Sequence, residues 1–228
     1  MRERFAAVLF DLDGVILDSM TQHARAWQEI LRSRGLEVPL DFIFRNEGAL
    51  GREVLQKFFR EYQHQELDQG LLERVMAELE TMLQEQARLY LERYAHQVRP
   101  YPQAEPVLAA LAREGWDTAL VTSSRRSVVE GCLDQRLLGR FRAVVTADDV
   151  ERHKPHPDPY LSGARALGLE AERCLVVENA PAGIASARAA GATCYALATT
   201  LDAGHLGQAQ AVFPDLVALA RHLGLDVT

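Results

Sequence analysis

Apolar positions along the chain change period twice. Residues 5–10, FAAVLF, form an unbroken apolar run that ends on Asp11 and Asp13, with Gly14 directly after them. A run this short, without polar breaks, predicts a strand buried on both faces of a parallel sheet. From Ser19 the spacing becomes helical, with Ala24, Trp27, Ile30 and Leu31 on one face and Gly35 as a stop. Pro39 and Asp41 open a second helical stretch, PLDFIFRNEG, which Leu50-Gly51 breaks before REVLQKFFREY begins a third. From residue 71 to about 97, Leu72, Val75, Met76, Leu79, Met82, Leu83, Leu89, Tyr90 and Tyr94 keep helical period with neither Gly nor Pro in the later part of the run. One long helix or two joined end to end would satisfy that pattern. Nothing in the span reads as a strand, so residues 18–97 predict a helical module.

After the breaker VRPYP the pattern alternates. A helix AEPVLAALAREG leads to a strand over 116–122, then helix 127–133, strand 141–147, helix 160–167, strand 173–179, helix 182–190 and strand 193–198. A short apolar stretch, AVFP, and a helix over 216–223 close the chain. Strands alternating with helices of this length predict an α/β fold with a doubly wound, Rossmann-like parallel sheet. The first strand belongs to that sheet, yet its successor comes about a hundred residues later. The expected organisation is therefore a core of residues 1–17 and 98–228 with an all-helical cap, 18–97, inserted after the first strand. Its linkers, near 14–18 and 98–102, leave beside the aspartate pair, which suits a lid.

Charge and cysteine content narrow the partners. A net charge of −7 supplies no basic footprint for nucleic acid, and any phosphorylated substrate has to be drawn in by local positive groups. No apolar run approaches the length needed to cross a bilayer. Asp11 and Asp13 interrupt the N-terminal apolar segment too early for a signal peptide. Cys132, Cys174 and Cys194 lack CxxC or Cys/His spacing, so a reducing, cytoplasmic setting without structural zinc is expected.

The candidate chemistry stands at the carboxyl ends of the strands, where open α/β sheets hold ligands. Asp11 and Asp13, separated by one residue, point the same way, and a cation or a shared proton would relieve their repulsion. A lone DxDG is as readily a polar strand end and a turn. The second core strand ends in Thr122-Ser123-Ser124, an anion cradle or an ordinary helix cap. His153-Lys154-Pro155 fixes a lysine by proline-restricted backbone, where it can neutralise phosphate instead of merely being solvated. Glu178-Asn179 offers hard oxygen ligands of the kind magnesium takes, although Asn179 also suits a helix N-cap. Four such strand ends in order make the inventory of phosphoryl transfer: a nucleophile, a proton shuttle, a metal and positive groups.

With those residues in place the chain resembles the haloacid dehalogenase superfamily over essentially its whole length. More narrowly it is similar to the β-phosphoglucomutase-like and phosphoglycolate phosphatase-like branch with a helical cap. The resemblance is carried by DLDGVILDS, VTSS, KPHPDPY and VVENAPAGI. It implies that Asp11 is a nucleophile forming an aspartyl phosphate and that Asp13 protonates the leaving oxygen and then activates water. It implies that Thr122, the Ser123 backbone and Lys154 hold phosphoryl oxygens, and that Asp11, the Asp13 carbonyl and the Glu178/Asn179 pair bind Mg2+. Asp13 argues against a dehalogenase, and no lysine lies between Ser19 and Arg34 to serve a phosphonoacetaldehyde hydrolase. Many relatives carry an acid where this chain has Asn179, so weaker metal binding is expected. His23, with Trp27, matches a recurrent pattern at the start of the first cap helix and is a substrate-side candidate, a packing residue or a hinge residue. ALGREVLQKF resembles the cap loop that contacts substrate in sugar-phosphate members and would put Arg52 over the site, a plain surface residue being the alternative. The implied activity is a magnesium-dependent phosphatase of a small phosphorylated metabolite, a sugar phosphate or phosphoglycolate-like acid. A phosphosugar mutase and, further off, a non-catalytic phospho-ligand binder are the alternatives. A monomer is expected, with a homodimer as the other option.

Overall fold

In the computed structural model, which describes residues 4–46, 52–58, 60–61 and 69–227, the apolar run after Phe5 becomes strand β1, Ala7–Phe10. Five more strands follow: β2 Asp117–Val121, β3 Ala143–Val145, β4 Cys174–Glu178, β5 Thr193–Leu197 and β6 Ala211–Phe213. They form one sheet in the order β3-β2-β1-β4-β5-β6, and every neighbouring pair is parallel. The stretch AVFP thus contains the sixth, edge strand, too short to be assigned from its sequence pattern alone. The strands are shorter than the apolar runs that announce them, because the flanking residues extend past the ladder into loops.

Alternation along β1 divides the core. Val8 and Phe10 face one side with Leu120, Leu175 and Val177, while Ala7 and Leu9 face the other with Ala119, Val121 and Val176. The first side is covered by α6 (Ala104–Arg113) and α11 (Leu216–Leu223), the second by α9 (Asp158–Ala166) and α10 (Pro181–Ala189). The approach of α9 is close: a Cβ on Gly163 would stand 2.6 Å from Val121 Cγ2. β1 lies between β2 and β4, so successive connections run in opposite directions from it, and the crevice at that reversal is where such sheets bind ligands.

Helices α1 (Met20–Arg32), α2 (Leu40–Arg45), α3 (Arg52–Phe58), α4 (Gln69–Ala77) and α5 (Leu79–Arg93) lie between β1 and α6 in the chain. The continuous pattern of residues 71–97 therefore resolves into α4 and α5, followed by a 3₁₀ turn at Ala95–Gln97. The break expected at Leu50-Gly51 falls outside the described residues. These helices gather their own apolar cluster, which includes Ala24, Trp27, Ile30, Phe42, Phe58 and Met82. The chain leaves and re-enters the sheet through two adjacent segments: Leu17 pairs antiparallel with Pro100. Asp18 N–H donates to the Arg99 carbonyl at 3.0 Å, and Tyr101 N–H to the Ile16 carbonyl at 2.9 Å. α7 (Arg126–Cys132) follows β2. The short α8 (Gln135–Leu138), which the periodicity did not announce, is capped by the Asp134 carboxylate accepting from Leu137 N–H. No helix among the described residues is long and apolar enough to cross a membrane.

Candidate active site

The backbone carries Asp11 beyond the end of β1 in register with β4, its N–H donating to the Val177 carbonyl at 3.0 Å. Directly after Asp13 the chain must turn against β4, and Gly14 does so with φ +80°. A Cβ at Gly14 would lie 2.1 Å from Asn179 Nδ2, so the loop after β1 and the end of β4 touch directly.

Lys154 ties three strand ends together. Its Nζ donates to Asp11 Oδ1 at 2.6 Å, to Glu178 Oε1 at 2.8 Å and to the Val121 carbonyl at 3.1 Å. These use all the donors an ammonium has. The lysine arrives on the loop before α9, through a cis peptide to Pro155. Glu178 is equally occupied. Tyr160 Oη donates to Oε1 at 2.7 Å, and the Asn179 and Ala180 N–H groups donate to Oε2 at 2.9 and 3.2 Å. Burial works against the Lys154 charge, but Asp11 and Glu178 outweigh it and hold its pKa above the ordinary lysine value. Burial pushes the Asp11 carboxyl up to about 8 against the pull of Lys154, with Glu178 and Asp13 adding to the rise. No donor among the described residues sits on Asp11 Oδ2.

Asp13 has a different environment. Oδ1 accepts from Ser19 Oγ at 2.5 Å and lies 3.0 Å from His23 Nε2, and Oδ2 accepts from Ser124 Oγ at 2.8 Å. Burial alone would raise its pKa; His23, Ser19 and Ser124 overcome that and bring it down to about 2. His23 belongs to α1 and is held by α5, where Gln86 Nε2 lies 3.2 Å from its Nδ1 and the Tyr90 ring stacks on it at 3.8 Å. With Gln86 donating to Nδ1, the proton stands on Nε2, facing Asp13.

Beside this pair Thr122 is buried, its Oγ1 accepting from Ser124 N–H at 3.0 Å. Ser123 Oγ is buried without a hydrogen-bond partner among the described residues. Such an orphaned hydroxyl at the end of β2, beside the Ser124 that bonds Asp13, fits a site that takes polar oxygens. The structure thus brings together Asp11, Asp13, Thr122, Ser123, Lys154, Glu178, Asn179 and His23. Arg52 opens α3, but its side chain is outside those described. No group of three or more His, Cys, Asp or Glu among the described residues is arranged to hold a metal ion. A cation here would rely on Asp11, a main-chain carbonyl and the Asn179 amide, all hard oxygen donors. Ser124 was read from the sequence as part of an anion cradle, not as a donor on Asp13, while Ser19, a donor on Asp13, and Tyr160, a donor on Glu178, were not singled out there. Each stands within or beside a motif that was, and hydroxyls flanking a buried carboxylate were the available signal.

The family model for haloacid dehalogenase-like hydrolases matches residues 5–191. Among curated proteins, the chain is 34% identical over 193 residues to the fructose-1-phosphate phosphatase YqaB of Escherichia coli, covering 84% of this chain and 95% of that one. It is 34% identical over 215 residues to hexitol phosphatase A of the same organism, covering 93% and 92%. Among solved structures, a hydrolase from Pseudomonas syringae superposes with a TM-score of 0.80 at 28% identity, covering 97% of this chain and all of the other. The β-phosphoglucomutase of Clostridium difficile shares the fold, with a TM-score of 0.69 at 22% identity over 92% of this chain and 91% of that one.

Proposed function

Since the chain belongs to the haloacid dehalogenase-like hydrolases, we propose that it is a phosphatase of a small sugar or sugar-alcohol phosphate, working through an aspartyl phosphate on Asp11. The observation that carries this reading is the unequal environment of two carboxylates placed side by side. Asp11 has one oxygen anchored on Lys154 and the other without a donor among the described residues, whereas Asp13 is held by three donors. The first is oriented to attack, the second to handle protons.

In this reading Asp11 Oδ2 attacks phosphorus and the ester P–O bond breaks, with Asp13 giving its proton to the leaving oxygen. Water then attacks the aspartyl phosphate, Asp13 takes the water's proton, and the bond between phosphorus and Asp11 breaks to release inorganic phosphate. Held by Ser19, His23 and Ser124, Asp13 is ionised, the state that accepts a proton in the second half. For the first half it must acquire one from solvent, while the His23 Nε2–H, 3.0 Å away, holds the carboxylate in place. Lys154, Thr122 and Ser123 would balance and orient the phosphoryl oxygens. Asp11, the Asp13 carbonyl and Asn179 would hold Mg2+, Glu178 being occupied by Lys154, Tyr160 and two N–H groups. A divalent cation there supplies positive charge that favours ionised Asp11 and offsets the charge on the phosphoryl group. The helices of residues 18–97 would act as the cap, covering the site and carrying substrate selection through side chains such as Arg52.

The test is phosphate release from a panel of hexose, hexitol and glycerol phosphates with and without magnesium. Release that requires magnesium and disappears in Asp11→Asn is expected. Turnover undiminished in that variant would overturn the reading, and conversion of β-glucose 1-phosphate to glucose 6-phosphate without net phosphate release would replace it with a mutase.

A further inference from the structure

Asn179 poses a problem that a carboxylate at the same place would not. Only one of its two terminal atoms, the oxygen, can ligate a cation; the other carries two hydrogens and repels it. An amide free to rotate would present the wrong atom for part of the time, so an asparagine ligand needs a partner that fixes which way it faces. After β5 the chain runs through Thr199 and Thr200, which reach the two touching loops at once. Thr199 Oγ1 donates to the Gly14 carbonyl at 2.5 Å, and Asn179 Nδ2 donates to Thr200 Oγ1 at 3.1 Å. With the nitrogen engaged by Thr200, and no donor among the described residues on Oδ1, the oxygen is the atom left for a ligand.

We infer that Thr200 is a positioning residue for the cation: it anchors the Asn179 amide nitrogen so that the amide oxygen is presented beside Asp11. The inference rests on the reading of Asn179 as a ligand. It explains how an amide substitutes for an acid here: an outer-shell hydroxyl supplies the orientation that two equivalent carboxylate oxygens would make unnecessary.

The test is a double-mutant cycle read by calorimetric titration of the metal-free protein with Mg2+ alone, thermal unfolding being recorded for each variant. Thr200→Val should weaken Mg2+ binding by about tenfold, within the range for loss of an outer-shell partner, and Thr200→Ser should restore it. In the Asn179→Asp background both terminal atoms are oxygens, so Thr200→Val should change affinity by less than about threefold; this non-additivity is the signature of orientation. A folded Thr200→Val protein with unchanged affinity, or an equal loss in both backgrounds, overturns the role of Thr200 while leaving the phosphatase reading intact. Wild-type protein that releases phosphate but takes up no Mg2+ removes the ligand role of Asn179 and the inference with it. If Thr200→Val does not fold, failure of Thr200→Ser to match wild-type affinity decides against the inference in the same way.

Discussion

The rim of the sheet and the helical insert contribute to the same site in opposite styles. At the rim, charges are buried and saturated: Lys154 makes three bonds and Glu178 accepts four, drawing together the ends of β1, β2 and β4, the loop before α9 and α9 itself. From the insert, Ser19 and His23 reach the site carboxylate Asp13, and His23 is oriented by neighbours inside the insert, Gln86 and Tyr90. The rim's geometry follows from strand register, which cannot shift without exchanging the buried faces of the sheet. The insert's geometry follows from helix packing around a smaller cluster, joined to the sheet by two paired segments. A site divided this way keeps the carboxylates on a rigid frame, and in the proposed phosphatase it would leave the part that meets the rest of the substrate free to vary.

The most damaging change to the rim should be Lys154→Met. It leaves Asp11 and Glu178 facing each other without a cation, and breaking a buried ion pair by removing one partner costs about 3–5 kcal/mol. Urea unfolding at neutral pH should show a loss of that size, together with loss of phosphate release. A variant as stable as wild type would mean that the rim does not depend on its central charge.

How far the chain announces this division follows from the same physics. Lys154, Asp11 and Glu178 were legible because short apolar runs ending in polar residues mark parallel strands, and such ends converge. What each oxygen does was not legible. Glu178 and Asn179 are adjacent in sequence, yet side chains alternate, so Glu178 turns into the core toward Tyr160 and Asn179 toward Gly14. Within the insert, periodicity recovered helices but not their count or their facing sides. The junction at Ala77–Glu78 between α4 and α5 carries neither Gly nor Pro to mark it. Gln86 and Tyr90 meet His23 from a helix more than sixty residues away, which no local pattern encodes.

Substituting the insert's contact sharpens the contrast. His23→Asn should lower turnover by about 100-fold, the lower end of what positioned acid–base groups contribute, because Asp13 loses the partner that orients it, with a smaller loss of stability than Lys154→Met. The pH profile gives the specific readout. His23 is the strongest influence lowering the Asp13 pKa to about 2, so without it that carboxyl rises toward the ordinary range. The acid limb of the pH–rate profile should therefore move to higher pH. An unmoved limb with the same fall in turnover would assign His23 to packing on Tyr90.

The smallest expected effect tests whether the rim is stiffened locally as well as centrally. Asp149 follows β3, where its Oδ2 accepts from Thr146 N–H at 2.8 Å, Thr146 Oγ1 at 2.7 Å and Arg126 Nη2 at 2.8 Å. The same turn braces the loop after β2, since Ala147 N–H donates to the Ser124 carbonyl at 3.0 Å and Asp148 accepts from Arg126 N–H at 2.9 Å. Burial would raise the Asp149 pKa, but the Thr146 hydroxyl and N–H and the Arg126 charge bring it below the ordinary 3.8. A carboxyl depressed by folding stabilises the protein fully above its unfolded value and loses that contribution as pH falls through the folded one. Asp149→Asn should thus lower stability at pH 7 by about 1 kcal/mol, the usual worth of such a cap. The gap to wild type should narrow as melting is followed below pH 3.8. A gap that stays constant with pH would trace the stabilisation to the shape of the turn, and the brace behind Ser124 would then owe nothing to charge.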